Sequence, residues 1–553
     1  MRLTPFAKIL IGVIVVAGGG AVAWNLIGKS DKEATTEVAT ADGKSTTANP
    51  YAAGATAPAS TSNADTIKIG LNSFHGFAPA LVANGNSLKT QPGSIFAKQG
   101  INVEFVIQDD IPTLETIFTA GTAQCTWRTS DFWAQEQPNL RNAGLDARAV
   151  LVADNTRGAD AIVANSPSIR RVEDLAGKKI ALLQYTPSHG MLIDAIENSS
   201  LSARAKQSIQ MVFINVDEGM AGIAAALSSG NVDAAVMWDP DLSMVTNKGA
   251  HVIYSTKIAS NLIFDMIVCD KRYLDTPKGR DTVQKLAAGW MEGVVAANAD
   301  KKNAADALVS SMEYYSMLTK EQGKPFVQSL FNNLVWTGLE DNARIFGLVG
   351  GTNHYERVYR RFDGIYRGIG ALANPKSPVI QPQDSIDYSF IRNLLDANKQ
   401  AENKARADAV ADAKSFTVEA QEAAVQAAPA AVTKPVTVNF ETGSAALTKR
   451  AQQIIDEQLA PFIENNGTAY FEVSGNTDST GSLGANMALS QQRAKAVVDY
   501  LVSQWEFPVN RFRVVGNGPN RPLCNETAPE DGQDLTTCRA ANRTTRVAVY
   551  SAQ

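Results

Sequence analysis

Short loops behind β-branched runs gather aromatic rings, hydroxyls and charged groups. They are Ser73, Phe74, His75 and Gly76; Thr129, Ser130 and Asp131 behind Trp127-Arg128; Tyr185, Thr186, Pro187, Ser188 and His189; and Trp238, Asp239 and Pro240. Aromatic walls, hydroxyls and backbone N–H groups are the usual lining of a small-molecule pocket. A Ser/Thr cluster at a helix start suits an anion, and Arg128 would neutralise one. Asp131, Asp239 and Asp265 together instead suit a cationic or amine-bearing ligand. The ligand's charge is therefore open on sequence alone. Plainer readings stand beside these: Trp238 as core, His75 and His189 as structural histidines, Asp239-Pro240 as a turn or helix start, and Arg128 as a surface partner of Asp131.

Little else could carry catalysis. Four His and four Cys in 553 residues leave little from which to build a metal centre. No Ser-His-Asp or paired-carboxylate motif with recognisable spacing occurs, so no catalytic residue, cofactor or enzymatic activity is expected. Lys+Arg 51 against Asp+Glu 56 gives a net charge of −5 with no basic stripe, which argues against nucleic acid as a partner. Hydrophobic residues make up 44% of the chain, enough for several real cores. Cys125 and Cys269 could be buried thiols, or a disulfide in an oxidising compartment.

These residues need elements to position them. Arg2 and Lys8 precede the uncharged run Ile9 to Gly28, long enough as a helix to span about 30 Å of hydrocarbon, with Trp24 near its far end. Residues 1–28 read as a transmembrane anchor with a cytoplasmic N-terminus; a signal peptide cleaved after Ala21-Val22-Ala23 is the rival. The remainder is then periplasmic, tied to the inner membrane of a Gram-negative envelope. Residues 29–65, poor in large apolar side chains, read as a flexible linker. Residues 66–397 alternate strand and helix patterns, with strands expected at Ile67–Leu71, Val103–Ile107, Lys179–Leu183, Met211–Asn215 and Ala234–Met237. Residues 398–434 form an Ala/Glu/Lys-rich linker, helical at first and extended near Pro429 and Pro435. Residues 435–553 close the chain.

The order IKIGLNSFHGFAPALVANG, IFAKQGINVEFV, LETIFTAGTAQC, VEDLAGKKIAL and AAALSSGNVDAAVMWDP resembles the periplasmic solute-binding proteins of the nitrate, sulfonate, taurine and thiamine-precursor group, the substrate-binding components of ABC transporters. The resemblance covers roughly residues 66–340. It implies an α/β two-lobed, type II periplasmic-binding-protein fold with a ligand cleft and no chemistry.

In the last segment Val436–Phe440, Tyr470–Ser474, Arg511–Val515 and Arg546–Tyr550 read as strands. Ala494, Val497, Val498 and Leu501 mark an amphipathic helix, giving a small α+β sandwich of order β-α-β-α-β-β. The block GNTDSTGSLGANMALSQQRAKAVVDYL resembles the OmpA-type C-terminal peptidoglycan-binding domain. The resemblance implies that Asp478 and Arg493 grip the diaminopimelate of the stem peptide, with Asn486 as a third polar position and Phe440 to Ser444 on the rim. A carboxylate and a guanidinium fork match the ligand's free amino and carboxylate groups. Read singly, Asp478 is a loop aspartate and Arg493 a surface charge. The family's late N-R-R motif departs here to Asn542-Arg543-Thr544-Thr545-Arg546, and Arg543 is favoured for the ligand-facing place. Cys524 and Cys538 are expected to form a disulfide.

The expected function is an envelope-anchored protein that binds a small organic ligand and, non-covalently, peptidoglycan. The alternative is a structural or scaffolding component whose binding-protein fold docks an envelope protein partner. No ionisable residue lies within Ile9–Gly28, which argues against an ion-driven stator.

Overall fold

Apolar, β-branched runs covered by helices on both faces build the sheets of the large domain. The computed structural model describes residues 37–39 and 66–551, apart from 439, 442 and 530–533. The expected anchor Ile9–Gly28 lies outside the described residues, among which no helix is long and apolar enough to cross a membrane.

The strands in chain order are β1 Glu37–Ala39, β2 Thr66–Leu71, β3 Asn102–Ile107, β4 Cys125–Thr129, β5 Ala147–Thr156, β6 Asp160–Ala164, β7 Lys179–Leu182, β8 Gln210–Phe213, β9 Ala234–Trp238, β10 His251–Ser255, β11 Phe264–Asp270 and β12 Leu334–Trp336. One lobe holds the sheet β12-β5-β11-β4-β2-β3, the other the sheet β1-β8-β7-β9-β6-β10. The chain crosses between lobes from β5 to β6 and returns from β10 to β11. Both sheets are mixed: β2 runs parallel to β3 and β4, and β7 parallel to β8 and β9, whereas the strands flanking the crossings pair antiparallel. Within the stretch 29–65, expected as a flexible linker, the described residues 37–39 pair antiparallel with β8, whose open edge offers unpaired backbone groups to any extended segment.

The helix His354–Gly368 packs against Ser130–Asn142 of the first lobe and Pro187–Glu197 of the second. Its approach is close: a Cβ at Gly190 would lie 2.8 Å from both Phe362 and the Tyr366 hydroxyl. Cys125 and Cys269, opposite each other on β4 and β11, form a buried disulfide.

The segment 398–434 contains the helices Lys399–Lys414 and Val418–Ala427. Arg344 pairs with Asp412 on the first at 2.8 Å, and the Gln421 amide on the second donates to Asn510 O at 2.9 Å. The closing module has β13 Val432–Val436, β14 Tyr470–Asn476, β15 Phe512–Gly518 and β16 Thr545–Tyr550, in the sheet order β13-β16-β14-β15. Its first strand lies N-terminal of the expected Val436–Phe440 and runs through Pro435, which an edge strand tolerates. A helix at Leu535–Asn542, absent from the expected order, precedes β16.

The module sits on the second crossing. Tyr254 OH donates to Asn466 Oδ1 (2.9 Å), Asn261 N to Asn465 O (3.1 Å), Asn261 Nδ2 to Glu464 O (2.8 Å) and Thr468 Oγ1 to Lys257 O (2.7 Å). The Glu464 carboxylate also accepts from Thr352 and pairs with Arg357, whose guanidinium lies over the Trp505 ring.

Candidate binding sites

The helix Leu483–Trp505 carries Arg493 and lies directly on β14 and β15. Only glycine permits this: a Cβ at Gly475 would meet Ser490 O at 2.0 Å, and one at Gly516 the Gln491 N at 2.7 Å. Asp478 follows β14. Its carboxylate accepts from Arg543 Nη1 at 2.5 Å and from Thr480 N at 3.0 Å. Burial pushes the Asp478 carboxyl up, but the Arg543 guanidinium and Thr480 pull it below its ordinary value. Arg493 donates to Ser444 O (3.0 Å) and Glu441 O (3.2 Å) and lies over the Phe440 ring at 4.9 Å. Burial and the neighbouring Arg543 lower its pKa, against the pull of Asp478. Asn486 ties the loop by donating to Thr480 O at 2.9 Å. Asp478, Arg493 and Arg543 thus share one rim. Arg546 is buried in β16, whereas the Arg543 side chain is 45% exposed.

Glu526 had no signal in the sequence beyond its place in the Cys524–Cys538 loop. Its carboxylate accepts from Ser479 N (3.1 Å) and Oγ (2.7 Å), Asn542 Nδ2 (2.9 Å) and Arg539 Nε (3.1 Å). These bonds hold its carboxyl well below the ordinary value, against the upward push of burial. The disulfide joins the loop to the Leu535–Asn542 helix, so both ends of the Glu526 clamp are fixed.

In the large domain the predicted loops divide into two groups. Ser73 is bound through N and Oγ to Asp109 at 2.5 and 3.0 Å. Thr186 Oγ1 donates to Leu183 O at 2.8 Å and lies 2.9 Å from Ser188 Oγ, and Tyr185 N donates to His189 Nδ1 at 3.1 Å. Ser130 Oγ accepts from Phe264 N at 3.1 Å. These groups stabilise their own loops. Arg128 departs from both sequence readings: fully buried, it pairs with Glu136 on the following helix rather than with a ligand or Asp131.

The second group converges where the lobes meet. Asp154 and Asp265 sit opposite each other on β5 and β11, Asp265 also faces Thr129 on β4, and Asp131 begins the next helix. Asp160 starts β6 opposite Trp238, and Asp239 follows. All five carboxylates are buried, while Trp238 is half-buried at the edge. Asp265 accepts from the Trp127 indole N–H; Asp239 accepts from Asn333 Nδ2 (2.7 Å) and Ser243 N (2.9 Å). Burial raises Asp131 to about 7 and Asp239 and Asp265 to about 6. Burial, with Asp265 close by, pushes Asp154 and Asp160 well above the ordinary range. His75, beside Phe74, is buried and neutral, its pKa lowered to about 3 by burial. Asp154 and Asp160 were missed in the sequence; their signal is an aspartate on either side of the Asn155–Ala159 turn in the apolar run AVLVADNTRGADAIVA. No group of three or more His, Cys, Asp or Glu placed to hold a metal occurs among the described residues.

The NMT1/THI5 like family model matches residues 94–304, and the OmpA family model residues 439–534. Outer membrane protein A of Shimwellia blattae is 34% identical over 117 residues, 20% of this chain and 47% of that protein. Peptidoglycan-binding protein ArfA of Mycobacterium tuberculosis is 33% identical over 112 residues, 20% of this chain and 32% of that protein. The chain thus spans about half or less of these curated relatives. The periplasmic aliphatic sulphonate binding protein SsuA from Escherichia coli superposes with a TM-score of 0.45 at 17% identity, over 60% of this chain and 100% of that one. Residues 94–304 therefore carry an NMT1/THI5-like domain, and residues 439–534 an OmpA-family domain.

Proposed function

We propose that the chain is an envelope-anchored periplasmic protein that binds a small organic ligand between its two lobes and holds peptidoglycan through its OmpA-family domain. The observation supporting the wall-binding half is the placement of Asp478, Arg493 and Arg543 on one rim. Asp478 would accept from the ammonium of diaminopimelate, and the guanidinium groups would take its carboxylate. Asn486 holds the loop that presents Asp478. The ligand cleft is formed by the segments bearing Phe74, His75, Asp131, Trp238, Asp239 and Asp265. Ile9–Gly28 anchors the chain in the inner membrane, with the rest in the periplasm.

The test is retention of the protein on purified sacculi. Asp478→Ala and Arg493→Ala each remove a charge-assisted contact worth about 1.5–3 kcal/mol, which is about a 10- to 150-fold loss of affinity. Retention falls with salt in the wild type, because the contacts are electrostatic. Equal retention of all three proteins would refute this site.

A further inference from the structure

We infer that the ligand of the cleft is an organic cation, a small molecule bearing a primary ammonium or guanidinium group, received by Asp131, Asp154 and Asp160. The inference rests on the cleft reading above and fixes its ligand class.

The carboxylates differ in what they already hold. Asp239 and Asp265 have donors from Asn333, Ser243 and Trp127. Asp131 and Asp154 are fully buried, and what touches their oxygens comes from the cluster itself: the Thr129 hydroxyl and the N–H groups of Asp131 and Phe132 at Asp131, and the Asp265 carboxyl at Asp154. Among the described residues no Lys, Arg or His forms an ion pair with Asp131, Asp154, Asp160, Asp239 or Asp265, and Arg128, the nearest cation in sequence to Asp131, is committed to Glu136. Asp154 is pressed onto bare backbone: a Cβ at Gly76 would lie 1.8 Å from its Oδ2. Asp154 and Asp265, opposite each other on neighbouring strands, share a hydrogen bond that needs one of them protonated, and no cation offsets the charge of the other.

Two groups outside the carboxylate cluster point the same way. Thr129 Oγ1, on the strand that leads into Asp131, is buried against the Asp131 carboxyl, and His75 Nε2, next to Gly76, is buried with no side chain bonded to it. An ammonium or guanidinium has several N–H donors to distribute among such acceptors. Phe74 and Phe331 flank His75 at 4.4 and 6.3 Å between ring centroids, a wall that favours a cation over an anion. A metal ion needs three or more ligands converging on one point, and the described residues provide none. The buried carboxyls, held protonated or strained by burial, would ionise against a bound cation.

The experiment is thermal-shift and calorimetric titration of the full chain with putrescine and agmatine, and in parallel with taurine and ethanesulfonate. At least one cation is expected to raise the melting temperature by several degrees, and the sulfonates to leave it unchanged. Asp131→Asn and Asp154→Asn should each weaken that cation at least tenfold. Without ligand both variants should melt at or above wild type, the reverse of what loss of a structural carboxylate would do. Stabilisation by a sulfonate and not by a cation overturns the inference and leaves the cleft reading standing. No response to either class overturns both. Cation binding unchanged in both variants overturns the assignment to these carboxylates.

Discussion

Asp131 shows how one side chain sets a pH dependence. Its carboxyl is raised from 3.8 to about 7 by burial, with Asp265 adding to the push. Between those values the folded protein keeps a proton that the unfolded chain releases, so stability falls as pH rises through that window. Asp154, Asp160, Asp239 and Asp265 face the same space and titrate with the same sign. His75 and His189 run the other way: buried and neutral with pKa values near 3, they cost stability as pH falls below 6.5. Comparing Asp131→Asn with wild type cancels those common contributions. The gap in melting temperature should widen in favour of the variant from pH 4 to 7 and then level off, measured by calorimetry without ligand. A gap independent of pH would mean that Asp131 stays ionised. At this scale the grouping of Asp478 with Arg493 was legible, because the two sit in one contiguous block of sequence. Arg128 was not, because its counter-charge Glu136 comes from the next helix and only the fold buries the two together.

Elements were read best where a period was long, as along Leu483–Trp505, and worst where tertiary context overrode composition. Pro435 suggested an end to the linker, yet β13 runs through it because its other edge is open. The Leu535–Asn542 helix is short and polar, and is held by the Cys524–Cys538 bond and by Asn542, which bonds to Leu523 N, Cys524 N and Cys524 O. Asp154 and Asp160 were not legible because they lie inside the strands that flank the crossing between lobes, not in loops behind strands. Cys538→Ser should loosen the Glu526 clamp on Ser479, and with it the Asp478 loop. Loss of the bond over a sequence separation of 14 removes about 3 kcal/mol of loop-closure restraint. Sacculus affinity should fall several-fold while circular dichroism of the large domain is unchanged. Unaltered affinity would show that the loop holds Asp478 without the disulfide.

The two domains meet at the second crossing between the lobes of the large one. Lys257 and Asn261 lie in the second crossing, and residues 464–468 of the OmpA-family domain bond to both, while Glu464 reaches Arg357 and Thr352. Glu464→Ala leaves the Arg357 guanidinium without its counter-charge, where burial already lowers its pKa to about 10. The variant should lose about 3–5 kcal/mol at this junction, as expected for a broken, mostly buried pair. In scanning calorimetry the OmpA-family domain should then melt separately, where the wild type melts in one coupled step. Two resolved steps in both proteins would show that the junction adds no cohesion.

The junction also gives the assembly a mechanical character. On the envelope reading the chain is tethered at the membrane end and gripped at the wall end. The grip is fastened to the pivot of the lobes rather than to a free tail. Any change in spacing between membrane and wall then loads that pivot as a lever loads its fulcrum. Turgor and ligand occupancy become two inputs to one joint.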